Sequence, residues 1–316
     1  MTGSRKDLTM SKKPIRSLFI AGAAFCGVVS GAAFAAESAK IEYKEVDWSF
    51  NGPFGVYDKE AVQRGFQVYR TVCAACHAVE QLSFRNLGEK GGPFHLDKCP
   101  ADVPETTNCA NASENPVVKA IAAEYEITDG PDDSGDMFKR PGLPSDKFPH
   151  PFANPQQARA ANGGALPPNL ALVIKARHEG PDYVYSLLTG FEDAPISVQL
   201  SPTQHYNRYF TGDMSQLMKP EYKDAEGHLL EGVEVPPGGV LAMKAPLADG
   251  IVDYADEHVP ETVDQYAKDV VQFLTWASEP KMEQRKSLGV VTIGYLLILT
   301  LILFFSYRAI WAKIEH

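Results

Sequence analysis

Residues 73–77 read Cys-Ala-Ala-Cys-His, and no second copy of this pattern occurs in the chain. No other stretch restricts the fold so tightly, because two thiols and an imidazole crowded into five residues must serve one group. Three answers compete: part of a zinc site, a redox dithiol, or a haem attached through its vinyl groups.

Compartment narrows the choice. Lys12, Lys13 and Arg16 precede an apolar run from Leu18 to about Ala33, broken by Gly and Ser and ending in "GAAFAAES". Ala33-Phe34-Ala35 has the A-x-A form of a cleavage site, so residues 1–35 are expected to be a secretory signal peptide with Ala36 the first mature residue. A retained N-terminal anchor is the alternative, against which the run is short and glycine-rich. Met10 would serve as well for a start, since the nine residues before it add nothing a signal peptide needs. Cleavage would remove Cys26 and leave Cys73, Cys76, Cys99 and Cys109.

Residues 288–307, "LGVVTIGYLLILTLILFFSY", are twenty without a charge. At about 1.5 Å per residue they suffice as a helix to cross a hydrocarbon core of roughly 30 Å. Lys281, Arg285 and Lys286 on one side rival Arg308 and Lys313 on the other, so flanking charge leaves the direction open. An exported N-terminus decides it. The expected layout is a periplasmic domain over 36–280, a linker over 281–287, a transmembrane anchor over 288–307 and a cytoplasmic tail over 308–316.

The head is acidic. The chain holds 30 Lys+Arg against 40 Asp+Glu; residues 1–35 carry five basic and one acidic residue, so 25 stand against 39 in the mature protein. That balance argues against nucleic acid and towards a basic protein partner. Pro, Gly, Asn and Asp are dense from Gly88 to Pro168, which predicts a stretch largely of loop with short helices.

The motif can now be weighed. A structural zinc needs four ligands, and Cys99 and Cys109 do not supply a second C-x-x-C. A redox dithiol wants a βαβ context, whereas Ala61, Val62, Gly65, Phe66, Tyr69 and Val72 recur at helical spacing before Cys73, with Asp58 placed as N-cap. In C-x-x-C-H the thiols add across the haem vinyl groups and the histidine reaches the iron. One covalently bound haem c is the reading that fits an exported chain.

A haem with one histidine has a sixth position to fill. The head offers Met137, Met214, Met218 and Met243, and histidines 95, 150, 178, 205, 228 and 258. "TVDQYAKDVVQFLTWASEP" predicts a helix opened by Thr262 and Gln265 at capping-box spacing and stopped before Pro280. Its apolar face is Val263, Tyr266, Ala267, Val270, Val271, Leu274 and Ala277. Small monohaem cytochromes pack such a helix across the one before C-x-x-C-H, with the methionine loop just upstream, which favours Met243 in "GGVLAMKAPL".

"QLSFRNL" at 81–87, "GALPPNLALVIKARHEGPDYVYSLLTGF" at 164–191, "YNRYFTG" at 206–212, "LAMKAPLADGIVDY" at 241–254 and "AKDVVQFLTWASEP" at 267–280 together resemble the cytochrome c1 family. The resemblance covers nearly the whole mature chain. It implies a mainly α, class I cytochrome c-like haem domain with large loop insertions and one C-terminal transmembrane helix. It implies covalent haem on Cys73 and Cys76, axial ligands His77 and Met243, and a pocket using Asn162, Pro168, Arg177 and Tyr183. An arginine there also makes independent sense, since a haem propionate inside protein needs a charge-assisted partner. Two departures stand out. "PPNL" replaces the family's "PPDL", putting Asn169 where a carboxylate is usual, and Asn caps helices about as well. A segment over 213–239 separates "YNRYFTG" from Met243 and introduces Met214 and Met218 as rivals.

The function implied is outer-sphere electron transfer within a cytochrome bc1 complex, with cytochrome b and Rieske iron–sulfur subunits as partners and a soluble or anchored cytochrome c as acceptor. No nucleophile or general base is needed, and no catalytic constellation is found. A lone membrane-tethered haem carrier or an open-site haem sensor or enzyme are the alternatives; a bare carrier needs only about a hundred residues. Cys99 and Cys109, an even pair in an oxidising compartment, are expected to form a disulfide around "PADVPETTN".

Overall fold

Asp58 starts the first helix of the head. The computed structural model describes residues 41–312, so the expected signal peptide and the last four residues lie outside it. Asp58 sits in extended backbone and its carboxylate accepts from the Ala61 N–H at 3.0 Å, capping α1, Lys59–Val68. Ala61, Val62, Gly65, Phe66 and Val68 are buried. The helix then widens to a π-turn over Tyr69–Cys73, in which Ala74 N–H reaches back to the Tyr69 carbonyl at 2.8 Å. That local widening delivers the chain into the cysteine motif.

Helix α1 packs against the last soluble helix, which is α5 in chain order, Val263–Ser278. Thr262 caps it, accepting from the Gln265 N–H at 3.3 Å. The apolar stripe read from the sequence is on the buried side, with Val263 half-buried, but Asp269, Phe273 and Trp276 are buried too. The stripe is wider than its period suggested because the helix is covered on several sides. Trp276 donates to the Gly91 carbonyl at 3.2 Å, and Tyr185 hydrogen-bonds Asp264 on another flank. Asp269, only 1 % exposed, is held by both nitrogens of the Arg64 fork at 2.9 and 3.0 Å and by the Tyr254 hydroxyl at 2.9 Å. A buried carboxylate is tolerable only when matched in this way.

Between the two helices the chain holds more order than its composition suggested. Asn115, fully buried, caps α2 (Pro116–Ala123) through its side-chain oxygen and donates to the Phe94 carbonyl at 2.8 Å. Strands β1 (Glu126–Asp129) and β2 (Phe138–Pro141) form an antiparallel hairpin with Glu126 opposite Pro141, which the expectation of loop and short helices over 88–168 did not include. Arg140 ties the hairpin by pairing with Asp129 and Asp146, a pattern invisible in composition. Asn154 caps α3 (Pro155–Ala161), and α4 follows at Pro181–Leu188. A second strand pair joins β3 (His205–Asn207) to β4 (Gly239–Leu241). Helices carry the main core, and the strands occur as two short pairs.

The final helix, α6, runs without a break over Met282–Trp311 and is the one described helix long and apolar enough to cross a membrane. This corrects the expected linker: residues from Met282 onward belong to the helix, and so do the first residues of the expected tail, up to Trp311. Nothing between Glu279 and Leu288 breaks a helix except Pro280, which lies just before it, where proline is tolerated.

In this structure the Cys99 and Cys109 sulfurs are bonded, with Cα atoms 5.2 Å apart. The polar segment between them has little to bury, so a covalent closure is what orders it. Mass spectrometry of never-reduced protein should yield one cross-linked peptide containing both residues. Cys99→Ser should lower stability by roughly 2–3 kcal/mol on the chain-entropy account of a loop this size. Alkylatable thiols at both positions would show the bond absent.

Candidate haem site

The π-turn sets the motif's geometry. Cys76 and His77 N–H groups both point back to the Cys73 carbonyl, at 3.1 and 2.9 Å, closing a single tight turn. The Tyr69 hydroxyl donates to the His77 carbonyl at 3.0 Å and fixes the end of that turn. Tyr69 had been read only as part of an apolar face; nothing in its spacing from His77 announces the polar contact.

The imidazole of His77 is oriented from far away in the chain. Its Nδ1 lies 2.8 Å from the Pro168 carbonyl oxygen. A carbonyl can only accept, so Nδ1 carries the proton and Nε2 keeps a free lone pair, the tautomer a metal-bound histidine needs. Burial holds the imidazole below its ordinary titration range, partly offset by the bond to Pro168, so the ring is neutral at neutral pH. The neighbouring Leu170 N–H binds the Ala78 carbonyl at 2.9 Å, so the 168–170 segment is strapped to the motif at two points. Asn169, the departure from the family pattern, extends the strap: it donates to Gln81 at 3.0 Å and accepts from the Ala171 N–H at 2.9 Å.

Cys73 is not set up as a reactive thiol. Burial pushes the Cys73 thiol up to about 12, with the adjacent Cys76 adding to the effect. Reactive dithiols and zinc-ready cysteines sit in surroundings that favour the thiolate, the opposite arrangement. A buried Cys73 thiol and its neighbour Cys76, beside a histidine with a free Nε2, fit a haem bound through thioethers and one imidazole.

The other candidate residues fall into separate groups. Arg177 is exposed; its guanidinium lies over the Tyr183 ring, 5.6 Å from the centroid, and donates to the Ala176 carbonyl at 3.1 Å. Tyr183 is buried on α4 and meets Tyr43 edge-on at 5.5 Å. Both line a cavity of about 340 Å³ with Tyr43, Phe210 and Thr211, which joins the "KARHEG" and "YNRYFTG" segments. Asn162 closes α3, donating to the Ala158 carbonyl at 2.7 Å.

The methionines are sorted by the second strand pair. Tyr206 lies opposite Val240 and Asn207 opposite Gly239, so the inserted residues bulge out as a loop closed at its base. The closure is tight: Gly238 has φ +103°, and a Cβ there would lie 2.6 Å from the Asn207 carbonyl. Met214 and Met218 are 1 % and 4 % exposed in a small apolar cluster that packs the loop against Val198 and Tyr206. Met243 is half-buried two residues beyond β4, returned beside "YNRYFTG" as though the insertion were absent.

A family model described as the Cytochrome C1 family matches residues 48–314. Cytochrome c1 of Rhodospirillum rubrum is 37 % identical, the match covering 95 % of this chain and 98 % of that protein. A mitochondrial cytochrome c1 haem protein of Arabidopsis thaliana is 39 % identical over 95 % of this chain and 83 % of its own. Cytochrome b/c1 of Bradyrhizobium diazoefficiens is 40 % identical over 94 % of this chain, which spans 39 % of that longer protein. With a model match across most of its length and relatives aligned nearly end to end, the chain belongs to the cytochrome c1 family.

Proposed function

We propose that this protein is the haem-bearing electron-transfer subunit of a cytochrome bc1 complex, taking electrons from a Rieske iron–sulfur subunit and passing them to a cytochrome c. The observation that carries the reading is the His77–Pro168 bond, which leaves Nε2 free on a neutral ring. Cys73 and Cys76 would hold one haem c covalently, and His77 and Met243 would be its axial ligands. The haem, when bound, supplies reversible one-electron chemistry.

The chain's own residues supply position and surroundings. The α1–α5 pair holds the motif's helix rigid, the Pro168 carbonyl prevents the imidazole from rotating, and Tyr69 fixes the turn. A thioether from Met243 would favour the reduced iron and raise the potential. Arg177 and Tyr183 would face a propionate, and Asn162 with Pro168 would complete the pocket. The helix pair across the motif supports a class I cytochrome c-like domain enlarged by loops. The protein is read as a subunit of a quinol–cytochrome c oxidoreductase, with no reaction of its own.

The apolar α6 supports a single anchor beside cytochrome b, and the sequence's export signal supports a haem domain on the periplasmic side of the bacterial inner membrane. Purification of the full chain in mild detergent should bring b-type haem and a Rieske protein with it. A chain that elutes alone with its c-type haem under every mild condition would sink the assignment to a complex.

A further inference from the structure

Phe54 is 79 % exposed and Val56 55 % exposed, although Phe50 and Tyr57 on either side are buried in the core. Phe54 is the most exposed phenylalanine of the described head, and the loop that carries it is held still. The Val56 N–H closes the loop on the Ser49 carbonyl at 3.1 Å. Gly52 at φ +71° makes the turn, and a Cβ on Gly55 would fall 2.1 Å from the Asn51 carbonyl. The apolar tip therefore cannot fold back onto the head without breaking the turn.

The loop is also bonded to the first turns of α6. Tyr57 N–H donates to Glu283 at 2.9 Å, while the Lys286 ammonium donates to the Phe50 and Gly55 carbonyls at 2.6 and 3.0 Å. From Glu283 to Lys286 the helix advances about 4.5 Å towards its charge-free stretch, and Leu288 is only about 3 Å further on. The loop is thus bonded to the turns of α6 that lie within about 8 Å of the charge-free stretch. The headgroup layer is roughly 5–8 Å thick on each side of the hydrocarbon core. A tip carried by a loop bonded to these turns is within reach of that layer, where exposed aromatic and aliphatic side chains are favoured.

We propose that the Asn51–Val56 loop is a second membrane contact, entering the lipid headgroup layer beside α6 with Phe54 and Val56. The inference rests on the reading of α6 as a membrane anchor. A single helix leaves the head free to tilt and rotate; a rigid apolar tip at its base would fix one side of the head to the lipid surface.

The test uses the full-length, haem-loaded protein in phosphatidylcholine vesicles, with an environment-sensitive fluorophore on Phe54→Cys, Ile196→Cys or Leu297→Cys. Ile196 is 84 % exposed on the head and Leu297 lies mid-way along α6. The probe at 54 should be quenched by lipids carrying a nitroxide near the headgroup and shielded from aqueous iodide. The probe at 196 should respond to iodide alone, and the probe at 297 to a nitroxide deep in the acyl chains. Val56→Cys should repeat the result at 54 with a smaller loss of side chain. Iodide quenching at 54 equal to that at 196, with 297 still deep in lipid, would overturn the loop contact alone. Shielding from both quenchers at 54 would mean that protein covers the tip, and would overturn it too. Iodide quenching at 297 would overturn the anchor and this inference with it.

Discussion

If Met243 is the sixth ligand as proposed, Met243→Leu should keep its haem covalently attached but lose the low-spin Met–His spectrum, and its potential should fall by on the order of 0.1–0.3 V, within the ~0.8 V that axial ligands span. The thioether is the soft donor that favours ferrous iron, and leucine of similar volume has no donor at all. The paired control is as informative. Met214→Leu and Met218→Leu should leave spectrum and potential alone, because those sulfurs are packed among Val198 and Tyr206 in the inserted loop. Each should cost less than about 1.5 kcal/mol, as Leu–Met exchanges in a core do. Optical spectra and a redox titration of the three variants decide the matter. If Met218→Leu strips the sixth ligand and Met243→Leu does not, the inserted loop has supplied it and the argument from the β3–β4 pairing fails.

Gly65→Ala should be the most damaging small substitution in the head. Helices α1 and α5 approach so closely there that an added Cβ would lie 1.9 Å from the Asp269 carbonyl oxygen and 2.8 Å from the Phe273 Cβ. The obstacle is backbone, so relief requires the helices to part. Parting would stretch the Arg64–Asp269 pair and loosen Phe273 against Phe66. A loss of about 3 kcal/mol is expected, the upper part of the usual overpacking range. For a domain of this size that lowers the melting temperature by roughly 6–12 °C. Because α1 leads directly into Cys73, the yield of protein with attached haem should fall as well. An unchanged melting temperature would mean that the helices separate freely and that this contact does not hold the head together.

Much of the framework was legible residue by residue. Asp58 and Thr262 announced helix starts because a short polar side chain before an apolar repeat has a local job, and both do cap their helices. The apolar stripe of α5 was readable for the same reason, since period is a property of one segment. The hairpin over β1 and β2 was not readable, because its strands are four residues each and the ion pairs of Arg140 with Asp129 and Asp146 follow no periodic pattern. The full length of α6 was not readable from the apolar run, because the charges at Glu283, Arg285 and Lys286 end a hydrophobic run without ending a helix.

By itself the sequence determined the covalent motif, the helix that precedes it, the apolar C-terminal run and the family. The first three rest on residues close together in the chain, where spacing alone constrains chemistry, and the family on several such local motifs in a fixed order. Tertiary structure decided the rest. His77 and Pro168 are 91 positions apart, and only the fold makes one the acceptor that sets the other's tautomer. Gly65 meets Asp269 across two helices, and a strand pair closes a loop that buries Met214 and Met218 away from Met243. Such contacts depend on which distant surfaces come together, and that is settled by packing the whole core at once, not by any local pattern.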